Sequence, residues 1–132
     1  MNRQQIIESL TSALASTQER IICAYLFGSL ARNEAGEQSD VDVAVLFDKP
    51  PPNTLIGPVS RLQAELEQAA RKPVDLVALN QAPPDLVHRV LRDSVLLNEN
   101  DRSRRVAFEV QLRNAYFDIL PYLQEYRAGG RA

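Results

Sequence analysis

Seven apolar residues in unbroken succession, Ile21–Phe27 (IICAYLF), stop at Gly28. A segment with no polar alternation has no face to give to water. As a strand it must be covered on both sides, and the abrupt glycine marks a tight turn at its end. The chain therefore needs amphipathic partners for this strand. Residues 3–16 place Ile6, Ile7, Leu10, Ala13 and Leu14 on one helical face, and 59–70 do the same with Val59, Leu62, Leu66, Ala69 and Ala70. Residues 41–48 (VDVAVLFD) read as a second strand, with Val41, Val43, Val45 and Phe47 on one side and Asp42, Ala44 and Leu46 on the other. A third strand is expected over 74–79 (VDLVAL) and a short fourth over 94–97.

The connections complete the fold class. Residues 32–39 are polar and contain Gly36, so they read as a loop. The 49–58 stretch holds four of the eight prolines and reads as another. Pro84 suits the first turn of a helix opening near Asp85. A long helix follows over 101–126, with a bend expected near Pro121, and the tail AGGRA is expected to fray. Only a short helical turn separates the first two strands, which predicts an antiparallel pair. The helix between the second and third predicts a parallel crossover. The expectation is an α/β (α+β) fold with a small mixed sheet flanked by helices and a long C-terminal helix, as one domain over 1–132.

Bulk properties narrow the function. The chain has 132 residues, enough for one core. Its net charge is -2, so it lacks the basic footprint of a protein that grips nucleic acid by its phosphates, and no direct nucleic-acid binding is expected. A polyphosphate bound here needs a metal ion to neutralise it. Cys23 is the single cysteine and lies in the apolar run, which reads as a buried, inert thiol and excludes an internal disulfide. No stretch approaches the roughly 18 apolar residues of a membrane span. The start, MNRQQIIESL, lacks the apolar region of a signal peptide, so a cytoplasmic address is expected.

Three features carry chemistry. In Asp40-Val41-Asp42, residues i and i+2 of a strand share a face, so two carboxylates stand side by side and repel unless a cation lies between them. Such hard oxygen ligands select Mg²⁺ or Mn²⁺, and a two-ion site can clamp both oxygens of an in-line phosphoryl displacement. By itself such a pair also fits two solvent-facing aspartates at a strand entry. Asp75 is the second feature, a charge inside the otherwise apolar VDLVAL strand. It either faces solvent on a sheet edge or joins the same metals. Gly28-Ser29 is the third. It ends a strand and begins a helical turn, where free backbone N–H groups, a close approach allowed by glycine and a serine hydroxyl suit a phosphate. Arg32, one turn on, is placed to reach a phosphate or to hold acidic residues of the loop.

The spacing joins these parts: Gly28-Ser29, ten residues, then Asp40-x-Asp42. Four fixed matches of this kind arise by chance on the order of one time in a thousand in a chain this long. The segment YLFGSLARNEAGEQSDVDVAVLFD resembles the G-S-x10-D-x-D signature of the DNA polymerase beta-like nucleotidyltransferase superfamily. The short length, the GSLAR form and the VDLVAL strand resemble its smallest members, the minimal nucleotidyltransferases (MNT). The resemblance implies that Gly28 and Ser29 bind triphosphate, that Asp40 and Asp42 hold two Mg²⁺ (or Mn²⁺), and that Asp75 completes the metal site and helps activate an acceptor hydroxyl. It further implies an antitoxin paired with a HEPN-type RNase toxin, transferring AMP from ATP to a toxin tyrosine.

Two other readings compete with it: a binding protein that neutralises a toxin by covering it, and a small-molecule nucleotidyltransferase. The second usually needs an added helical domain for its acceptor, and few residues follow the last strand. His88, the only histidine, reads as a helix-surface residue. Arg102, Arg104 and Arg105 read as a solvated helix start or as a hold on an acidic partner. The C-terminal helix carries two apolar stripes: Val106, Val110, Phe117 and Leu120, and then Phe108, Leu112, Tyr116, Ile119 and Leu123. One serves the core, and the second stripe is expected to face a toxin or a second copy.

Overall fold

The computed structural model describes residues 1–129 apart from Ala35, Glu37, Gln38 and Asn53. Part of the expected 32–39 loop, and residues 130–132 of the tail expected to fray, lie outside the described residues, while Ala128 and Gly129 of that tail continue the last helix. Four strands form one sheet: β1 (Ile21–Phe27), β2 (Val41–Phe47), β3 (Val74–Ala78) and β4 (Val95–Glu99), in the order β3-β2-β1-β4. The expected mixed sheet is present, with β1 antiparallel to β2 and β4, and β2 parallel to β3. The helices are α1 (Arg3–Ser16), α2 (Gly28–Ala31), α3 (Pro58–Ala70), α4 (Pro84–Arg92) and α5 (Arg102–Gly129). A 3-10 turn at Leu79–Gln81 ends β3 one residue earlier than the sequence suggests.

Two apolar layers sandwich the sheet. On one face, Ile6, Leu10 and Leu14 of α1 and Leu62, Leu66 and Ala70 of α3 pack on Val41, Val43, Val45 and Phe47. On the other, Val87 and Val90 of α4 cover Ala44, Leu46, Ile22, Cys23 and Tyr25, with Phe108 and Leu112 of α5 packed against them. The alternation read along β2 is thus the alternation built. In β1 it is broken: Ile22 and Cys23 belong to the same layer, because the register with β2 slips between Ile21 and Cys23. Cys23 is fully buried, and burial pushes its thiol up to about 11, which keeps it protonated.

The C-terminal helix corrects the sequence reading. The second stripe is the one turned inward. Phe108 and Leu112 belong to the core layer, and Tyr116 stacks on His88 with ring centroids 3.7 Å apart. His88 is therefore half-buried at the α4–α5 contact rather than a free surface residue. Val106, Val110 and Phe117, from the first stripe, are the exposed ones. The reason is polar and invisible to apolar periodicity. Arg105 pairs with Glu99 and Glu109, Tyr25 donates to Glu109 at 2.6 Å, and Arg104 bonds both the side chain and the backbone carbonyl of Asp48. These contacts fix the rotation of α5, and they convert Arg104 and Arg105 from a solvated cluster into fasteners. Helix α5 continues through Pro121 to Gly129.

Candidate nucleotide and metal site

The site lies where β1 ends and β2 begins. Phe27 pairs with Asp42, so the next residue, Gly28, sits beside the Asp42 side chain. Gly28 has φ +76°, and a Cβ built on it would overlap the Asp42 carboxylate, whose Cγ would lie only 3.1 Å away. Both the left-handed backbone and the close approach demand glycine. From Gly28 the chain turns at once into α2, and Arg32, Asn33 and Glu34 close it by backbone N–H donation to Gly28, Leu30 and Ser29.

The parallel register of β2 and β3 sets Asp42 opposite Asp75. Adjacent strands lie about 4.8 Å apart, so these two carboxylates stand on one face as neighbours. Asp75 is on an edge strand and exposed, and this same edge position is what places it beside Asp42. Asp40 falls one residue before β2 begins and is exposed. The start of β2 is tied down by Val41 N–H donating to Pro73 O at 3.1 Å and by Lys72 donating to Ser39 O at 3.3 Å.

Electrostatics tie the three acids together. Partial burial raises the Asp42 carboxyl above its usual range, and the charges of Asp75 and Asp40 raise it further, while Arg32 acts weakly in the opposite sense. Arg32 is itself held by Glu34 at 3.1 Å, one of the two roles expected of it. Among the described residues, no three acidic, histidine or cysteine side chains already stand close enough to grip one ion together. The donor set, all carboxylate oxygen and crowded around a half-buried Asp42, fits a hard divalent cation.

One residue near the site carried no sequence signal. Arg3, in the first turn of α1, donates from Nε to Leu30 O at 2.9 Å and from its terminal nitrogen to Ala31 O at 3.2 Å. With Asn33, Ser39, Asp40 and Lys72 it lines a cavity of about 280 Å³, in which Asp40 is the one candidate site residue. A second cavity of about 210 Å³, between α4 and α5, is lined by His88, Arg92, Glu109, Leu112 and Arg113 and includes none of the candidate residues.

A glycine turn packed on a strand carboxylate, with a second carboxylate in register on the next strand, is an arrangement that suits a phosphate held beside a divalent cation. Comparison with known proteins makes this specific. Residues 8–103 match the family model described as polymerase beta, nucleotidyltransferase. MJ0435 of Methanocaldococcus jannaschii, named as a candidate protein adenylyltransferase, is 42% identical over 72 residues, covering 54% of this chain and 74% of its own. A chain of a crystal structure of a toxin-antitoxin with AMP-PNP superposes with a TM-score of 0.77 at 25% identity, covering 100% of both chains. A chain from the tri-AMPylated Shewanella oneidensis HEPN toxin in complex with MNT antitoxin superposes with a TM-score of 0.76 at 23% identity, covering 99% of this chain and 100% of that one. The chain belongs to the polymerase beta nucleotidyltransferase family and is a nucleotidyltransferase of minimal, MNT-like fold.

Proposed function

We propose that this chain, as a single domain over 1–132, transfers AMP from ATP to a hydroxyl of a protein partner, a tyrosine of a HEPN-type RNase toxin, and so acts as its antitoxin in the cytoplasm. The observation that carries the chemistry is the register of Asp42 with Asp75 against the Gly28 contact. The likeness to MJ0435 supports a protein acceptor. The full-length match to a toxin-antitoxin chain supports a toxin partner. No helix of the described residues is long and apolar enough to cross a membrane.

In this reading Gly28 and Ser29 receive the triphosphate, with Arg32 beside them, and Asp40, Asp42 and Asp75 hold two Mg²⁺, or Mn²⁺ in their place. The metal supplies charge neutralisation and alignment of the attacking and leaving oxygens. The acceptor oxygen forms a bond to the α-phosphorus, the bond to the α,β-bridging oxygen breaks, and pyrophosphate leaves. The hydroxyl proton passes to Asp75 and then to water.

The test is transfer itself. With ATP, Mg²⁺ and a cognate HEPN-type RNase toxin, the chain is expected to add AMP to that protein, read as a mass increase. Asp40→Ala with Asp42→Ala is expected to abolish both the mass change and the rise in melting temperature on adding Mg–ATP. Full toxin suppression by that double variant, without a mass change, would establish neutralisation by covering instead.

A further inference from the structure

Helix α2 has four residues, and a single turn cannot hold its own place on a sheet. Buried Leu30 supplies part of its anchorage, and the N-terminal end of the chain supplies the rest. The Arg3 guanidinium spans Leu30 O and Ala31 O, 27 and 28 residues away in sequence. Arg3 is itself fixed. Asn2 caps α1 through a reciprocal bond with Gln5, and Ile6, one turn on, packs in the same apolar layer as Leu30. On its opposite side the turn meets the Asp42 carboxylate at Gly28. The turn is thus clamped between a guanidinium at its last carbonyls and a carboxylate at its first Cα.

We propose that Arg3 is a positioning residue for nucleotide binding: it holds Gly28–Ser29 at the height and tilt at which they receive the triphosphate, and touches no substrate itself. This rests on the nucleotidyltransferase reading of the site. A planar fork donating to two carbonyls sets orientation as well as distance, whereas lysine supplies a point donor. Arg3→Lys should therefore recover only part of the function.

The experiment measures Mg–AMP-PNP affinity by calorimetry for wild type, Arg3→Lys, Arg3→Gln and Arg3→Ala, each alone and with Ser29→Ala. Loss of two partly buried hydrogen bonds from a charged group is expected to weaken binding roughly tenfold or more in Arg3→Ala and Arg3→Gln, with Arg3→Lys between them and wild type. The nucleotide KM should rise while kcat at saturating nucleotide stays within about threefold. Because Arg3 acts through Ser29, the loss in the double variant should fall well short of the product of the single losses. Wild-type affinity in Arg3→Gln, or losses that multiply, would overturn the positioning role while leaving the site reading intact. If Arg3→Ala fails to fold, Arg3→Gln and Arg3→Lys decide the matter. A wild-type chain that does not bind Mg–AMP-PNP overturns the site reading and this inference together.

Discussion

Two groups of ionisable side chains share one face of the sheet, and they are assembled in opposite ways. Around Tyr25 the signs alternate: Glu99 meets Arg105, Arg105 meets Glu109, and Glu109 accepts from the Tyr25 hydroxyl. Around Asp42 they do not. Asp40 and Asp75 add to the unfavourable field on it, and Arg32, which opposes them, is engaged with Glu34. The first group is complete within the chain and fastens α5. The second sets like charges around a half-buried carboxylate. Closed polar networks hold a fold together, whereas an accumulation of like charge disfavours its own ionised form.

The largest effect that separates the two groups should come from Asp75→Asn, which keeps size and polarity but removes charge and basicity. Transfer is expected to fall about 100-fold or more while Mg–AMP-PNP binding largely survives. Intact-mass time courses on the acceptor measure the first, and thermal shift the second. Unchanged turnover would make Asp75 an ordinary edge residue and erase the contrast.

The fastened side is probed by charge placed on α5. Leu112 packs against the core layer and Val110 is 47% exposed. Leu112→Glu should cost on the order of 3 kcal/mol, since it buries an unpaired carboxylate, and Val110→Glu should stay within about 0.5 kcal/mol. Denaturant melts compare them. The reverse order would restore the outward assignment of the second stripe.

That assignment shows where sequence reasoning stopped. The strands, the helices and the mixed sheet were legible because apolar period is local and the burial of Ile21–Phe27 demands cover. The Gly28, Asp40 and Asp42 cluster was legible because its parts lie on one hairpin at fixed spacing. The rotation of α5 was not. Both of its stripes are apolar, and the choice is made by Arg105, Glu109 and Arg104 reaching partners on β1, β4 and beyond β2. The Ile21/Cys23 slip was equally silent, since in a run with no polar residues a register shift leaves no mark in the pattern. Arg3 was missed for the same reason as α5: its partners are backbone carbonyls, and a carbonyl has no letter in the sequence.

A smaller effect is expected from Tyr25→Phe. The hydroxyl is lost, but Glu109 keeps Arg105 at 3.0 Å. The cost should be about 1–2 kcal/mol, since Glu109 keeps another partner while the weak bond the Cys23 thiol donates to the hydroxyl is lost as well. Nucleotide affinity should not move, because this network holds α5 and takes no part in the site. A loss of Mg–AMP-PNP binding in Tyr25→Phe would show that the two groups are coupled through the sheet.

The smallest effect should also have the opposite sign. In the folded protein Asp42 holds its proton more readily than in the unfolded chain, because burial, Asp75 and Asp40 all disfavour its charge. Its ionised form therefore destabilises the metal-free fold. That penalty is present in full above the folded-state pKa and disappears as pH falls below the ordinary aspartate range of the unfolded chain. In chelator at pH 7, Asp42→Asn should stabilise the protein, by the roughly 0.2–1 kcal/mol that a like-charge cross-strand pair costs. The advantage should shrink steadily as the melts are repeated toward pH 4. Adding Mg–AMP-PNP should invert the order, since wild type gains the ligand's stabilisation and the variant loses most of it. A variant less stable than wild type in chelator would mean that Asp42 is satisfied within the chain after all, like the residues around Tyr25, and the distinction between the two groups would fail at its central residue.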